Sequence, residues 1–247
     1  MKYGILADIH GNLEAFEAAL KRLEQEGAEK YLFCGDLIGY GPDPKACVER
    51  FFELAQTKTM EGVLGNHDAI ITHPELREYF HIGALQALDW SLTQLDEKCL
   101  RCVSFLPELI KRDNCTVIHG TPRDPLKEYF VSEAQFRVLY NEWRGQLLFV
   151  GHSHIPFCMV GDDKNCHVHL SEKEESLPIQ ENLRYVINPG SVGKPRDKDV
   201  RASFGLWDTE KNKFYFLREP YNYQVTIKKM IRAGLPDLLV DSLSLGI

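Results

Sequence analysis

The sequence predicts an α/β fold in which parallel strands are joined by crossover helices. Short apolar segments alternate with polar loops, and the segments between them carry apolar residues at helical spacing. With 247 residues, 44% of them apolar, the chain is long enough for one substantial core. We find no internal repeat, low-complexity segment or linker, and therefore expect a single domain over residues 1–247.

Charge and cysteine content narrow the classes of function. The formal net charge is −7, which provides no global basic field for nucleic acid or an anionic membrane. No apolar stretch approaches the length that a bilayer requires, and no secretory signal precedes the first strand. The seven cysteines form no disulfide framework. We therefore expect reduced thiols, no membrane association and a cytoplasmic protein.

The first predicted elements alternate between strand and helix. Residues 3–7 and 30–34 are short apolar runs that predict buried strands, and apolar residues at helical spacing over 13–23 predict a helix between them. A second helix is expected over about 45–54, after a loop rich in Gly and Pro. A third strand is expected over 59–64. This order is typical of parallel strands with crossover helices.

The middle of the chain continues the pattern less regularly. Residues 74–112 carry mostly helical patterns, and the next strand is predicted over 115–118. A short helix is expected around 132–140, followed by a strand over 147–150. Each of these strands runs directly into a polar loop.

The predicted secondary structure changes after residue 155. Short strand-like runs between residues 157 and 217 predict a second, antiparallel sheet. Residues 222–243 read as one or two amphipathic helices, interrupted at Gly234-Leu235-Pro236. We therefore expect the second sheet and the C-terminal helices to be built from about residue 155 onward.

Five of the predicted strands end in side chains that are able to bind a metal ion. These side chains are Asp8, His10, Asp36, Asn66, His119, His152 and His154. Parallel strands bring their carboxyl ends to one edge of the sheet. These residues are therefore expected to meet, although they span almost 150 positions of the sequence. Oxygen and nitrogen ligands without thiolate suit divalent Mn, Fe, Zn or Ni. The set is too large for one catalytic ion and suits two, provided that one carboxylate bridges them.

The segments around these residues resemble the five sequence blocks of the calcineurin-like metallophosphoesterases. The blocks are Asp8-Ile9-His10, Gly35-Asp36, Gly65-Asn66-His67-Asp68, His119 at a strand end, and Gly151-His152-Ser153-His154. The segments 188–193 and 195–197 resemble a further block of the small bacterial and archaeal, phosphodiesterase-type members. The resemblance implies a four-layer αββα sandwich of two mixed β-sheets with a two-metal site at one edge.

The resemblance also implies a role for each residue of these blocks. Asp8, His10 and His154 would hold one metal, Asn66, His119 and His152 the other, and Asp36 would bridge them, with Mn or Fe the favoured ions. His67 would act as the acid that protonates the leaving oxygen, with Asp68 orienting its ring. Two adjacent cations lower the pKa of a bridging water, and the resulting hydroxide attacks phosphorus.

One departure from the family concerns the substrate. The serine/threonine phosphatases and symmetrical diadenosine tetraphosphate hydrolases carry Asp-Arg where this chain has Gly39-Tyr40, so the arginine that grips phosphate in those branches is absent from that position. Arg123 and Arg196 are candidate replacements, since an arginine can contact phosphate through two N–H groups. Asn12 and Tyr40 are further candidates for the walls of the substrate pocket.

The sequence therefore predicts a dinuclear-metal phosphoesterase for a small phosphodiester or nucleotide. A phosphomonoesterase on the same site is the alternative among enzymes, and a non-catalytic protein-binding module on this fold is the alternative outside them. A nuclease is disfavoured by the net charge. Apolar strands in the second half allow an oligomer. We expect His167 and His169 to face solvent on a strand and to form no metal site.

Overall fold

The computed structural model describes residues 1–57, 59–112 and 114–247. Within these ranges the strands, numbered along the chain, are β1 (Lys2–Leu6), β2 (Lys30–Phe33), β3 (Met60–Gly62), β4 (Leu109–Lys111), β5 (Cys115–Ile118), β6 (Leu147–Phe149), β7 (Phe157–Gly161), β8 (Cys166–Leu170), β9 (Glu175–Pro178), β10 (Arg184–Asn188), β11 (Ala202–Asp208) and β12 (Lys213–Glu219).

The strands form two six-stranded mixed sheets. The first has the order β3-β2-β1-β11-β12-β9, and the second has the order β4-β5-β6-β10-β7-β8. In the first sheet β1, β2 and β3 are parallel, and β1 pairs antiparallel with β11. In the second sheet β5, β6 and β10 are parallel, and β10 pairs antiparallel with β7. Each sheet thus combines a parallel part with an antiparallel part.

Helices pack on the outer faces of the sheets. They are α1 (Leu13–Gln25), α2 (Pro44–Gln56), α3 (Asn66–Ala69), a 3₁₀ helix (Pro74–Tyr79), α4 (Ile82–Gln94), α5 (Glu97–Ser104), α6 (Glu133–Leu139), α7 (Tyr223–Arg232) and α8 (Asp237–Leu245). Helix α1 buries Phe16, Leu20 and Leu23 in the core outside the first sheet. Helix α6 buries Phe136 and Leu139 against the second sheet. The arrangement confirms the predicted sandwich of two sheets flanked by helices.

The two sheets bury an apolar layer between them. Ile5 and Leu32 come from the first sheet, Val117 and Phe149 from the second, and all of them are at most 2% exposed. Burying a side chain of this size contributes roughly 1.5–3 kcal/mol. This layer fixes the sheets against each other, and therefore fixes the distance between the loops that leave β1–β3 and those that leave β5 and β6.

One expectation about the sheets is wrong. The strands after residue 155 do not make a sheet of their own, because β7, β8 and β10 complete the second sheet whereas β9, β11 and β12 extend the first. The 74–112 stretch is mostly helical as expected, and strand β4 at its end was not predicted. A three-residue strand is too short to show a periodicity of its own. The helices α7 and α8 agree with the interruption expected at residues 234–236.

None of the helices in the described residues has the length and apolar character needed to cross a bilayer.

Candidate metal centre

The seven predicted ligands meet at one edge of the sandwich. Ligand atoms of Asp8, His10, Asp36 and His154 lie within 4.8 Å of one another, and so do those of Asp36, His119 and His152. Asp36 belongs to both groups: its Oδ2 lies 3.5 Å from His10 Nε2 and 3.4 Å from His119 Nε2. The two groups therefore adjoin each other through one carboxylate.

Asn66 completes the second group. Its side-chain Oδ1 lies 3.0 Å from His119 Nε2, which in turn lies 3.1 Å from His152 Nδ1. In the first group, His10 Nε2 and His154 Nε2 are 3.1 Å apart, and His154 Nε2 lies 3.5 Å from Asp8 Oδ1. Each group thus presents an oxygen and two imidazole nitrogens besides Asp36.

The backbone is strained where it delivers these ligands. Positive φ angles occur at Asp8 (53°), His10 (48°), Asp36 (65°), His152 (66°) and His154 (61°). A residue with a Cβ in the left-handed region is held at a cost of roughly 1–3 kcal/mol. Strain of this kind concentrates at functional sites, where the surrounding structure enforces it. Here each strained residue lies in the loop that leaves β1, β2 or β6.

Each of the four imidazoles is held by a main-chain carbonyl on the side away from the centre. The bonds are His10 Nδ1 to Ile38 O (3.0 Å), His119 Nδ1 to Cys34 O (2.8 Å), His154 Nδ1 to Lys194 O (2.5 Å) and His152 Nε2 to Lys127 O (3.3 Å). A carbonyl oxygen only accepts, so in each ring the bonded nitrogen carries the proton. In His10, His152 and His154 the other ring nitrogen then points its lone pair into the centre, as in metal-binding histidines. Burial lowers the pKa of His119, but the adjacent Asp36 outweighs burial and raises it to about 9, so this ring also carries a proton on the nitrogen that faces Asp36, which a bound metal would replace.

Most of the atoms that converge are therefore acceptors. Nε2 of His10 faces Nε2 of His154, and both carry lone pairs rather than protons. Asp8 Oδ2 is buried and has no hydrogen-bond partner within residues 1–57, 59–112 and 114–247. Lone pairs at such distances repel one another unless a cation lies between them, and buried polar atoms are rarely left without a partner. The residues present thus fit divalent metal ions.

Burial sets the protonation state of most of these groups. It lowers the pKa of His10 and His154 well below the usual value and the pKa of His152 to about 3, so these rings are neutral and able to bind metal. Burial and the neighbouring Asp36 raise the pKa of Asp8 to about 8. Burial alone would also raise the pKa of Asp36, but His119 and His67 hold it below its usual range.

A cavity of about 440 Å³ opens beside the two groups. Asp36, Asn66, His152 and His154 lie along it, together with His67. Lys194 and Arg196, next to Tyr40, form a cationic part of the cavity wall. Tyr79, Phe80 and Tyr129 form an aromatic part of the wall. Helix α8 closes the remaining side with Leu238, Leu239 and Ser242.

Comparison with known proteins identifies the family. Residues 1–212 match the calcineurin-like phosphoesterase superfamily domain. The chain belongs to the calcineurin-like phosphoesterases. It is 34% identical to an uncharacterized protein of Methanocaldococcus jannaschii over 247 residues, which is 98% of this chain and 97% of that protein. The expected family and fold are confirmed, and the chain is a phosphoesterase with a metal site.

Two solved structures resemble this phosphoesterase over its whole length. A metallophosphoesterase from Sphaerobacter thermophilus has a TM-score of 0.86 and 33% identity, with 100% of both chains covered. A hypothetical protein from Pyrococcus horikoshii has a TM-score of 0.80 and 21% identity, with 100% of this chain and 98% of that chain covered. The second likeness concerns the fold alone.

His67 faces the cavity of the phosphoesterase. Its ring centroid lies 4.7 Å from those of His10, Tyr40 and Phe80. The ring is 3% exposed, and its Nδ1 has no hydrogen-bond partner. Burial lowers the pKa of His67 to about 4, although the nearby Asp36 opposes that shift. His67 thus adjoins the metal ligands without being tied to a carbonyl as they are.

The role expected for Asp68 is corrected by its contacts. Its carboxylate accepts hydrogen bonds from the main-chain N–H groups of Asp36 (2.9 Å), Leu37 (2.9 Å), Ile38 (3.1 Å) and Gly65 (3.1 Å). It therefore does not orient the ring of His67. Asp68 instead ties the loop that carries Asp36 to the loop in front of Asn66, and so positions two of the predicted ligands.

Two predicted substrate residues lie elsewhere. The guanidinium of Arg123 is exposed and paired with Glu128, and it does not line the cavity. The side chain of Asn12 caps helix α1 by accepting from Ala15 N at 3.2 Å, and it donates to Gly193 O at 2.9 Å. Both assignments are corrected. Tyr40 and Arg196 do line the cavity, and the Arg196 guanidinium donates to the Tyr40 hydroxyl at 3.2 Å.

Several cavity residues were not predicted. Tyr129 stacks on His152, with ring centroids 3.8 Å apart and an angle of 9° between the rings. His81 also lies at the cavity, and its Nδ1 accepts the Ala84 N–H at the start of α4. Lys194 is 5% exposed, and burial with the nearby Arg196 lowers its pKa to about 7. Only Lys194 had a usable signal, since it lies between the segments 188–193 and 195–197 that resemble a family block.

Proposed function

We propose that this phosphoesterase is a dinuclear-metal phosphodiesterase that hydrolyses a small phosphodiester or nucleotide. The observation that carries the proposal is the pair of residue groups that share Asp36 and direct carboxylate, amide and imidazole ligand atoms to one centre. One ion would be held by Asp8, His10 and His154, and the other by Asn66, His119 and His152, with Asp36 bridging. The oxygen and nitrogen ligands suit manganese or iron.

When bound, two such ions supply Lewis acidity to the phosphoryl oxygens and lower the pKa of a coordinated water. The protein positions the remaining groups. The main-chain carbonyls bonded to the four rings keep each imidazole in the orientation that a metal requires, and Asp68 keeps the Asp36 loop in register with Asn66. This rigidity supports catalysis, because charges that develop during the reaction meet ligands that need not rearrange.

We assign the proton donor to His67. Its Nδ1 has no hydrogen-bond partner among the described residues, and its ring lies beside Tyr40 at the cavity. With the pKa of His67 lowered to about 4, the ring is neutral in the free protein at pH 7. A bound phosphate is an anion next to this ring, and an adjacent anion raises the pKa of an imidazole. Substrate binding would thus charge His67 for donation to the leaving oxygen.

The cavity suits a nucleotide-sized substrate. Its volume of about 440 Å³ lies within the range of small-molecule sites. The aromatic wall provides planar surfaces on which a base is able to stack, and Tyr79 is 68% exposed and Tyr129 43% exposed. Arg196 and the Tyr40 hydroxyl, whose pKa burial raises to about 12, provide donors for phosphate oxygens.

A phosphomonoesterase is the second candidate, because Lys194 and Arg196 together give the cavity enough positive charge for a dianionic phosphate. A non-catalytic binding module is disfavoured, since all seven ligands and His67 are present and converge. We also propose a reducing, cytoplasmic location, because the cysteines of the structure are all free.

The test is hydrolysis of bis(p-nitrophenyl) phosphate by metal-stripped protein, with and without added manganese. We expect activity that appears with manganese, disappears with chelator and is absent in Asp36→Asn. p-Nitrophenyl phosphate, measured in parallel, separates the two enzyme candidates, since a monoesterase would cleave it faster than the diester. No turnover of either ester with manganese, iron, zinc or nickel would contradict the proposal and favour the binding module.

A further inference from the structure

His152 is the least firmly held of the four predicted imidazole ligands. Its hydrogen bond to Lys127 O is 3.3 Å long, whereas the corresponding bonds of the other three rings measure 2.5–3.0 Å. His152 is also the most exposed of the four residues, at 7%. Its backbone is strained, with a φ of 66°. The hydrogen bond alone therefore fixes this ring less tightly than the other rings are fixed.

The ring of Tyr129 lies flat on the ring of His152. Their centroids are 3.8 Å apart, and the angle between the rings is 9°. Among the ring pairs of the described residues, this pair is the closest and the most nearly parallel. Rings at this distance are in van der Waals contact. The stack therefore leaves the imidazole little room to turn about its Cβ–Cγ bond, which is the rotation that the long hydrogen bond restrains weakly.

Tyr129 is itself held in place by its own segment of chain. Gln135 Nε2 donates to Tyr129 O at 2.8 Å and to the Glu128 carboxylate at 3.2 Å. Glu128 also accepts the Thr121 hydroxyl at 2.5 Å and pairs with Arg123. These bonds anchor the chain at Tyr129 and at the residue before it. The position of the Tyr129 ring thus does not depend on a bound ligand.

The stack reaches one of the two groups of predicted ligands. In the part of the chain that the structure describes, His152 is the one predicted ligand whose ring contacts the ring of Tyr129. In the other group, His10 and His154 have Tyr40 as their aromatic neighbour, with centroids 4.6 Å and 6.3 Å away. A change at Tyr129 is therefore expected to act on one group and to spare the other.

We infer that Tyr129 is a positioning residue that holds the His152 ring ready for metal and thereby sets the affinity of one of the two ions. The inference rests on the proposed function, in which Asn66, His119 and His152 hold that ion. A ring that is already fixed loses less freedom when it coordinates, and residues that orient metal ligands contribute about 10–100-fold to metal affinity. Tyr129 acts in this way before any substrate binds.

Calorimetric titration of the metal-stripped protein with manganese, without substrate, tests this inference. We expect Tyr129→Leu to weaken the binding of one ion at least about tenfold and to leave the binding of the other unchanged. Tyr129→Phe keeps the stacked ring and should retain the wild-type affinity for both ions. The circular dichroism spectrum should stay unchanged, because Tyr129 is 43% exposed and its replacement opens no cavity in the core.

Tyr79→Leu is the matched control. Tyr79 is an exposed tyrosine on the same wall of the cavity, but within the described residues its ring does not stack on a predicted ligand. Both ions should therefore bind to Tyr79→Leu as they bind to the wild type. Unchanged affinities in Tyr129→Leu, equal weakening of both ions, or the same loss in Tyr79→Leu would overturn the inference. A loss in Tyr129→Phe as large as that in Tyr129→Leu would also overturn it, because the hydroxyl and not the stack would then be responsible.

His152→Ala shows whether Tyr129 acts through this ring. We expect His152→Ala to retain one ion, and the addition of Tyr129→Leu should change the affinity for that ion less than about twofold. A tenfold loss in this background would contradict an action through His152. A wild type that binds two ions while Tyr129→Leu has no effect refutes the positioning role alone. A wild type that binds no manganese refutes the proposed function.

Discussion

Replacing Asp68 by asparagine tests whether this side chain supports the ligand loops or orients His67. Asp68 is fully buried. Its Oδ2 accepts the N–H groups of Asp36 and Gly65, its Oδ1 accepts that of Ile38, and Leu37 N is shared between the two oxygens. An asparagine places its NH₂ group at one of these oxygens, where it faces donors.

The size of the effect follows from the donors that lose their acceptor. Depending on the orientation of the amide, Ile38 N or both Asp36 N and Gly65 N are orphaned, and the new NH₂ group is orphaned as well. Each unsatisfied buried donor costs roughly 1–3 kcal/mol, so we expect Asp68→Asn to lower the free energy of unfolding by about 3–5 kcal/mol. For a chain of this size, that loss lowers the melting temperature by roughly 6–20 °C.

Urea unfolding in the presence of a chelator measures this loss without a contribution from bound metal. Asp208→Asn is the control, because Asp208 is also buried but accepts Glu210 N and Lys211 N with one oxygen, which an asparagine is able to replace. We expect it to lose less than about 1 kcal/mol. An Asp68→Asn protein as stable as the wild type, with reduced activity only, would refute the supporting role and favour a contact with His67.

Three further substitutions separate the roles at the site. Asp36→Asn should abolish activity and reduce metal content while the circular dichroism spectrum stays unchanged, and full activity would contradict a bridging carboxylate. His67→Ala should lower kcat by roughly 10²–10⁴ with metal retained, and loss of metal would identify His67 as a ligand. Arg196→Met should raise the KM for bis(p-nitrophenyl) phosphate about tenfold. Arg123→Met should leave this KM unchanged, because Arg123 pairs with Glu128 at the surface. An equal rise in KM for both variants would contradict the placement of Arg123 outside the substrate site.

The sequence predicted that these seven side chains converge, because their positions follow from strand periodicity. A polar side chain directly after a buried strand lies at the carboxyl edge of the sheet, so Asp8, Asp36 and His119 could be placed without knowledge of the loops. Their grouping around Asp36 followed from the family resemblance. The assignment of individual ligands to two ions stays a prediction that metal titration is able to test.

The corrected residues depend on contacts that periodicity does not encode. The Asp68 carboxylate accepts hydrogen bonds from four main-chain amides. Three of these amides belong to the loop in which Gly35 and Asp36 adopt positive φ angles. Arg123 lies only four residues after His119, yet its guanidinium forms an ion pair with Glu128 instead of facing the cavity. Such pairings depend on loop conformation, and each alternative was as compatible with the sequence as the one observed.

The sequence also did not indicate which sheet each of the strands after residue 155 joins. Strand β11 is buried along its whole length, and it pairs with β1 on one side and β12 on the other. Strand β10 is equally apolar but pairs with β6 and β7. Both read as short buried strands, and their apolar patterns carry no information about which sheet they join.

The number of manganese ions bound per chain tests the central claim most directly. Calorimetric titration of the metal-stripped protein should give two ions per chain for the wild type, and fewer for Asp36→Asn because the shared carboxylate is lost. A wild-type protein that binds no manganese, or a single ion unaffected by Asp36→Asn, would contradict a dinuclear centre built from these seven residues.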